Sequence, residues 1–166
     1  MGRLYRLSVK IQLHLFDNMI KHILLYGCEV GGFGKNEVLE RVHLKFCEIL
    51  LNIKSSTPIY MVYGELGRYP IDIHIKVRNI SYWARLLSGK QAKFSNAFYR
   101  LSRKLNENGD TNLNKVYFIR AILNECGFTC IWETEHVNNK EWLNCVVKQR
   151  LFDSLYRIDK YHCQIL

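Results

Sequence analysis

The sequence predicts an all-α protein, an irregular bundle of about six to seven helices. Three observations carry this. Apolar residues recur at three- and four-residue steps along most of the chain. Only two prolines occur, Pro58 and Pro70, so long helices are permitted nearly everywhere else. The breaks between periodic stretches fall at glycines or polar runs.

The first helix is expected from about Leu4 to Tyr26. Leu4, Leu7, Ile11, Leu15, Met19, Ile23 and Tyr26 form one stripe, and Leu13, Phe16, Ile20 and Leu24 form a second. Two stripes imply a helix packed on two sides in its later half, near the centre of a bundle. Gly27 breaks the pattern, and Gly31, Gly32 and Gly34 make a connection. The second helix spans about Glu37 to Ile53, with Leu39, Val42, Phe46, Ile49, Leu50 and Ile53 inward. Thr57 is placed to cap a short third helix with Pro58 in its first turn, ending near Gly64 to Gly67.

Pro70 opens the next helix, whose apolar face is Ile73, Val77, Ile80, Ala84 and Leu87; Gly89 ends it. A helix over Phe94 to Leu105 precedes the polar run 106–112. Val116, Ile119, Ile122 and Leu123 mark a further helix closed by Gly127. Asn138 or Asn139 caps a last one, with Glu141 in its first turn. Its face is Trp142, Val146, Leu151, Phe152, Leu155, Ile158 and Ile165. The expected division is a helical region over 1–90 and a helical extension over 91–166, with 106–112 as the other candidate boundary. There is no internal repeat, and the end at Ile165-Leu166 carries no helix-stop signal, as expected of a piece of something longer.

The chain has 166 residues, 48% hydrophobic and 13% aromatic, which suits a packed core and excludes a disordered tail. It carries 24 basic and 15 acidic residues, a formal charge of +9, which favours polyanionic partners. No stretch reaches the roughly 18 apolar residues of a membrane span. The start lacks a signal-peptide pattern, and Arg6 stands where myristoylation needs Ser or Thr. The six cysteines lack a disulfide-framework spacing and read as reduced thiols. The expected location is therefore intracellular, nuclear or cytoplasmic.

Most catalytic chemistry finds no support. Gly34-Lys35 is followed by Asn36, so no phosphate-binding loop is present. Asp17, Asp72, Asp110, Asp153 and Asp159 are scattered, with no Asp-Asp or Asp-x-Asp to hold paired Mg²⁺. Cys126, Cys130, His136 and Cys145 could supply zinc ligands, but only the first pair is tightly spaced, and ordinary thiols explain them better. Spacing gives no support to a cysteine nucleophile. His14 and His22 read as helix-surface or packed residues. No cofactor is expected.

The positive signal is electrostatic. Residues 73–106 contain no acidic side chain and eight basic ones: Lys76, Arg78, Arg85, Lys90, Lys93, Arg100, Arg103 and Lys104. Tyr82, Trp83, Phe94, Phe98 and Tyr99 are interleaved with them. Such a run can neutralise phosphates, and exposed aromatics can stack on bases. The bland reading puts the aromatics in the core and the charges on a solvated face.

Two blocks then bear on ancestry. Leu24-Leu-Tyr-Gly-Cys-Glu-Val-Gly-Gly-Phe33 is followed by Glu40-Arg-Val-His-Leu-Lys-Phe-Cys47 and by Tyr63-Gly-Glu-Leu-Gly-Arg-Tyr-Pro70. In this order and spacing they resemble the region just after the catalytic palm in non-LTR retrotransposon reverse transcriptases. The resemblance covers about Leu7 to Leu87 well; Ser95 to Leu166 is similar, through weaker motifs, to the connector that follows. It implies a thumb and its extension, which hold an RNA–DNA hybrid or other nucleic acid beside the remainder of a polymerase, away from any membrane. Gly31 stands where the family commonly has tryptophan, as expected of a decayed copy. The family's Tyr-x-Asp-Asp motif is absent, so the resemblance implies no polymerase activity for this chain alone. Competing expectations are a helical interaction module with an exposed apolar patch, and a small enzyme using Cys and His.

Overall fold

The computed structural model describes residues 7–31, 36–88, 93–107 and 114–163, and the side chains of 155–163 are not among what it describes. The protein is all-α, and no strand occurs among the described residues. The first helix runs on continuously through α1 (Val9–Leu15), a π turn (Phe16–Ile20) and α2 (Lys21–Leu24). The four-residue α3 (Cys28–Gly31) follows, then α4 (Glu37–Leu51), α5 (Ile59–Leu66) and α6 (Ile71–Leu87). The second half holds α7 (Lys93–Glu107), α8 (Asn114–Glu125), α9 (Thr129–Thr134) and α10 (Lys140–Cys163).

Three helices close in the same way. Asn52, Gly67 and Gly127 take left-handed backbone angles, at φ 53, 59 and 75°. The next amide then reaches back to a carbonyl five residues earlier: Ile53 to Glu48, Arg68 to Tyr63 and Phe128 to Leu123. This satisfies carbonyls that a helix end leaves unpaired. At the other ends, Pro58 and Pro70 occupy the capping position just outside α5 and α6. Thr57 therefore does not cap α5 as the sequence suggested. The Asn139 carboxamide oxygen accepts from the Trp142 amide at 2.9 Å and caps α10, as expected.

The central element is α6, not the first helix. Ile71, Ile73, Ile75, Asn79, Ile80, Trp83, Ala84 and Leu86 are all buried, which takes in about 220° of the circumference at 3.6 residues per turn. One side packs with Leu25 and Cys28 through Ile71 and Ile75. The other joins the largest core through Ile73, Ile80, Trp83 and Leu86, with Tyr99, Val116, Ile119, Leu123, Leu143, Val147 and Leu151. That core draws on residues from both sides of position 90. A third cluster, around Cys47, Val62 and Tyr63, seats α5 on α4.

The first helix packs on one side only. Phe16 and Leu25 are buried and Leu13 and Leu24 are partly so, while Ile20 of the expected second stripe is 43% exposed. The longer stripe, Leu7, Ile11, Leu15, Met19, Ile23 and Tyr26, faces outward, with Ile23 73% and Tyr26 89% exposed. In α10 the buried positions are Leu143 and Val147, one step on from Trp142 and Val146, while Leu151 and Phe152 are buried as expected. Leu155, Ile158 and Ile165 lie outside the described side chains.

Candidate nucleic-acid interface

The sequence blocks Leu24 to Phe33 and Tyr63 to Pro70 meet against α6. In the second, the Tyr63 hydroxyl donates to the Glu40 carboxylate, whose other oxygen accepts from the Ile71 amide at 2.8 Å. A carboxylate at the start of α6 satisfies an orphan amide and suits the positive end of the helix. Arg68 forks onto Asp17 at 2.7 and 2.8 Å, donates to the Leu13 carbonyl at 3.3 Å and lies 5.8 Å from the Phe16 ring. Tyr69 stacks on Phe152 with ring centroids 3.7 Å apart.

The first block is clamped by polar side chains from α6 and α8. Arg78 donates to the Leu25 carbonyl at 3.1 Å, and Asn79 to the Cys28 carbonyl at 3.3 Å. Arg85 meets the Glu29 carboxylate at 3.1 Å, and its guanidinium lies 5.7 Å from the Tyr82 ring. Lys115 donates to the Glu29 carbonyl at 2.8 Å while sitting 3.9 Å from the same ring. Burial pulls the Lys115 ammonium down to about 8, against the Glu29 charge that raises it.

This divides the eight basic candidates. Arg78 and Arg85 are fasteners of the first block. Lys76 pairs with Asp72 at 3.4 Å and Glu125 at 3.3 Å; burial opposes its charge, but these two carboxylates outweigh burial and raise its pKa. Arg103 pairs with Glu135 and lies 5.2 Å from the Trp132 ring. Lys90 lies outside the described residues, and so does the side chain of Lys93. Arg100 and Lys104 are exposed on α7.

The interleaved aromatics divide as well. Trp83 is buried, and its Nε1 donates to the Tyr99 hydroxyl at 2.9 Å. That hydroxyl donates onward to Glu135 at 2.7 Å. Burial first, and the Glu135 carboxylate second to it, hold the Tyr99 phenol up at about 12 despite the opposing Trp83 donor. Tyr82 is half-buried beneath its two cations. Phe94 and Phe98 remain outside, 90% and 56% exposed.

A part-buried polar junction lies where α2 meets α6. Lys21 Nζ is 3.1 Å from His74 Nε2 and 3.8 Å from Asp17. Burial, with Lys21 and Lys148 adding repulsion, pulls His74 down to about 4. His43 stacks between Phe16 and Tyr63, and neither of its ring nitrogens has a hydrogen-bond partner. Burial, then Arg68 and Lys21, pull it to about 4 as well.

The possible zinc ligands do not converge. Cys126 is buried, its thiol 4.0 Å from the Val147 carbonyl and pushed up to about 11 by burial. Cys130, His136 and Cys145 are exposed, and no group of three or more potential ligands is close enough to hold a metal among the described residues. Among these residues no helix is long and apolar enough to cross a membrane.

Sequence reasoning missed Asn79, Lys115 and Glu135 as partners. Asn79 had a signal, since a carboxamide in the apolar run of α6 needs a buried acceptor. Lys115 and Glu135 had none, because their partners lie far away in sequence. No protein-family model, curated protein or solved structure matches the chain.

Proposed function

We propose that the chain corresponds to the thumb and connector of a non-LTR retrotransposon reverse transcriptase, and that it grips the backbone of a primer–template without reading sequence and without catalysing polymerisation. The observation that carries this is the pair of blocks Leu24 to Phe33 and Tyr63 to Pro70, in that order and spacing. Their convergence on α6, through the Tyr63–Glu40–Ile71 link and through Asn79 and Arg78, supports reading them as one structural unit. The net charge of +9 and the exposed Arg100 and Lys104 support a polyanionic partner. These cations act as phosphate clamps, not as acids or bases.

Binding to an RNA–DNA hybrid across a salt series tests the reading. Affinity should fall steeply as salt rises, and similarly for hybrids of unrelated sequence. A flat salt response, or strong preference for one sequence, sinks it.

One observation favours a second reading, a protein-interaction module that pairs with its own copy. The π turn widens one turn of the first helix and offsets the drift of residues spaced by four, so Ile11, Leu15, Met19 and Ile23 line up along one exposed side. Sedimentation should then show concentration-dependent association, abolished by Ile23→Glu and indifferent to added nucleic acid.

A further inference from the structure

Exposure on α7 falls into two strips. Phe94, Phe98 and Leu101 follow at steps of four and three, the spacing of one helix side, and are 90, 56 and 56% exposed. Arg100 and Lys104, one turn apart, are exposed roughly 100° farther round the axis, at 3.6 residues per turn. The remaining side, with Tyr99 and Ser102, is buried. Between Lys93 and Asn106 the sequence of this helix contains no acidic residue, and its one carboxylate is Glu107 at the last position.

We infer that α7 is a stacking platform for single-stranded nucleic acid, in which the Phe94 and Phe98 rings take unpaired bases and Arg100 and Lys104 take the phosphates. This rests on the nucleic-acid reading above and narrows it to a strand state and a face. Phe94 and Phe98 are about 6 Å apart along the axis at 1.5 Å rise per residue, a step that an extended strand covers with one nucleotide. Base faces in a duplex are covered by their neighbours, and inserting a ring there costs unstacking. In a single strand the faces are open, and stacking on aromatics tolerates any sequence. An anionic membrane surface fits less well. The apolar strip runs only from Phe94 to Leu101, about 10 Å of axis, and an interfacial helix needs a sustained apolar face.

The test uses the whole chain and three probes of equal length: a labelled oligothymidylate of about 12 nucleotides, the matching DNA duplex, and an RNA–DNA hybrid. The double variant F94A/F98A removes two exposed rings, and its circular-dichroism melt should match that of the parent. It should bind the single strand about tenfold or more weakly and the hybrid less than about twofold more weakly. F94L/F98L keeps apolar area without a flat ring and should lose single-strand affinity nearly as far. R100Q/K104Q should weaken binding to all three probes and lower the salt slope by about one to two. Equal losses on single strand and hybrid, or no loss in either phenylalanine pair, overturn the inference while leaving the proposed function standing. No binding to any probe overturns the proposed function with it. Capture by phosphatidylserine vesicles that depends on both phenylalanines, without single-strand binding, assigns the strip to a membrane and overturns the inference.

Discussion

Arg68 holds Asp17 with both arms of its guanidinium, at 2.7 and 2.8 Å, across 51 positions of sequence. The contact ties the second block to the π turn of the first helix. The Arg68 side chain is only 11% exposed and also meets the Leu13 carbonyl and the Phe16 ring. Arg68→Ala should cost about 2–3 kcal/mol in urea unfolding. Arg68→Lys should recover less than half, because an ammonium cannot fork. Asp17→Asn should cost below about 1 kcal/mol, since water reaches that carboxylate. A lysine variant as stable as the parent would show that the fork is unimportant.

Acid should unfold the protein through its histidines. His43 and His74 are held at about 4, against 6.5 for the free side chain. Between these values the unfolded chain binds protons that the folded chain refuses. Stability is therefore fully present above pH 6.5 and falls as pH drops towards 4, by up to about 3 kcal/mol per histidine. His43→Phe removes two unpartnered ring nitrogens from a stack of aromatic rings. It should be neutral or stabilising at pH 7 and flatten the acid limb by about half. Denaturant titrations from pH 4 to pH 8 read both effects.

The Trp83–Tyr99–Glu135 relay crosses the largest core. Tyr99→Phe leaves the Trp83 Nε1 without its acceptor and Glu135 without one donor. The expected loss is about 1–2 kcal/mol, with a change in the near-ultraviolet dichroism of the tryptophans. An unchanged spectrum with unchanged stability would mean that the relay adds nothing.

The basic residues should separate into two classes by experiment. Removing the fasteners, with R78A/R85A, should lower the melting temperature, for a loss of about 2 kcal/mol. R100Q/K104Q should leave melting unchanged and weaken nucleic-acid binding. Equal melting losses in both pairs would refute the division.

Helix periodicity and punctuation made much of this fold legible. Gly67, Gly127, Pro70 and Asn139 all stand at helix ends, because left-handed angles, a missing amide and a short carboxamide each have few other uses. The six-residue α9 was not legible, since one and a half turns leave no period to detect, although Trp132 is buried within it. The two stripes of the first helix have equivalent spacing, and periodicity cannot rank them; tertiary packing chose the one through Phe16. In α10 the buried line lies one residue beyond the predicted one at its start, where Trp142 competes with Leu143. At the candidate interface, composition exposed the cationic run but not its partners. Arg85 and Glu29 are 56 positions apart, and Arg103 meets a glutamate in the α9–α10 connection. Such pairings come from the packing of helices, which a local reading cannot supply.

The stack of Tyr69 on Phe152 has a consequence for synthesis. A ribosome delivers the chain from its beginning, so α6 emerges long before the helix that supplies Phe152, Leu143 and Val147. Until then the Trp83 side of α6 lacks Leu143, Val147, Leu151 and Phe152, the core residues that α10 supplies. The core around α6 is therefore completed only when α10 arrives, and a nascent chain stalled before it leaves that side of α6 partly uncovered.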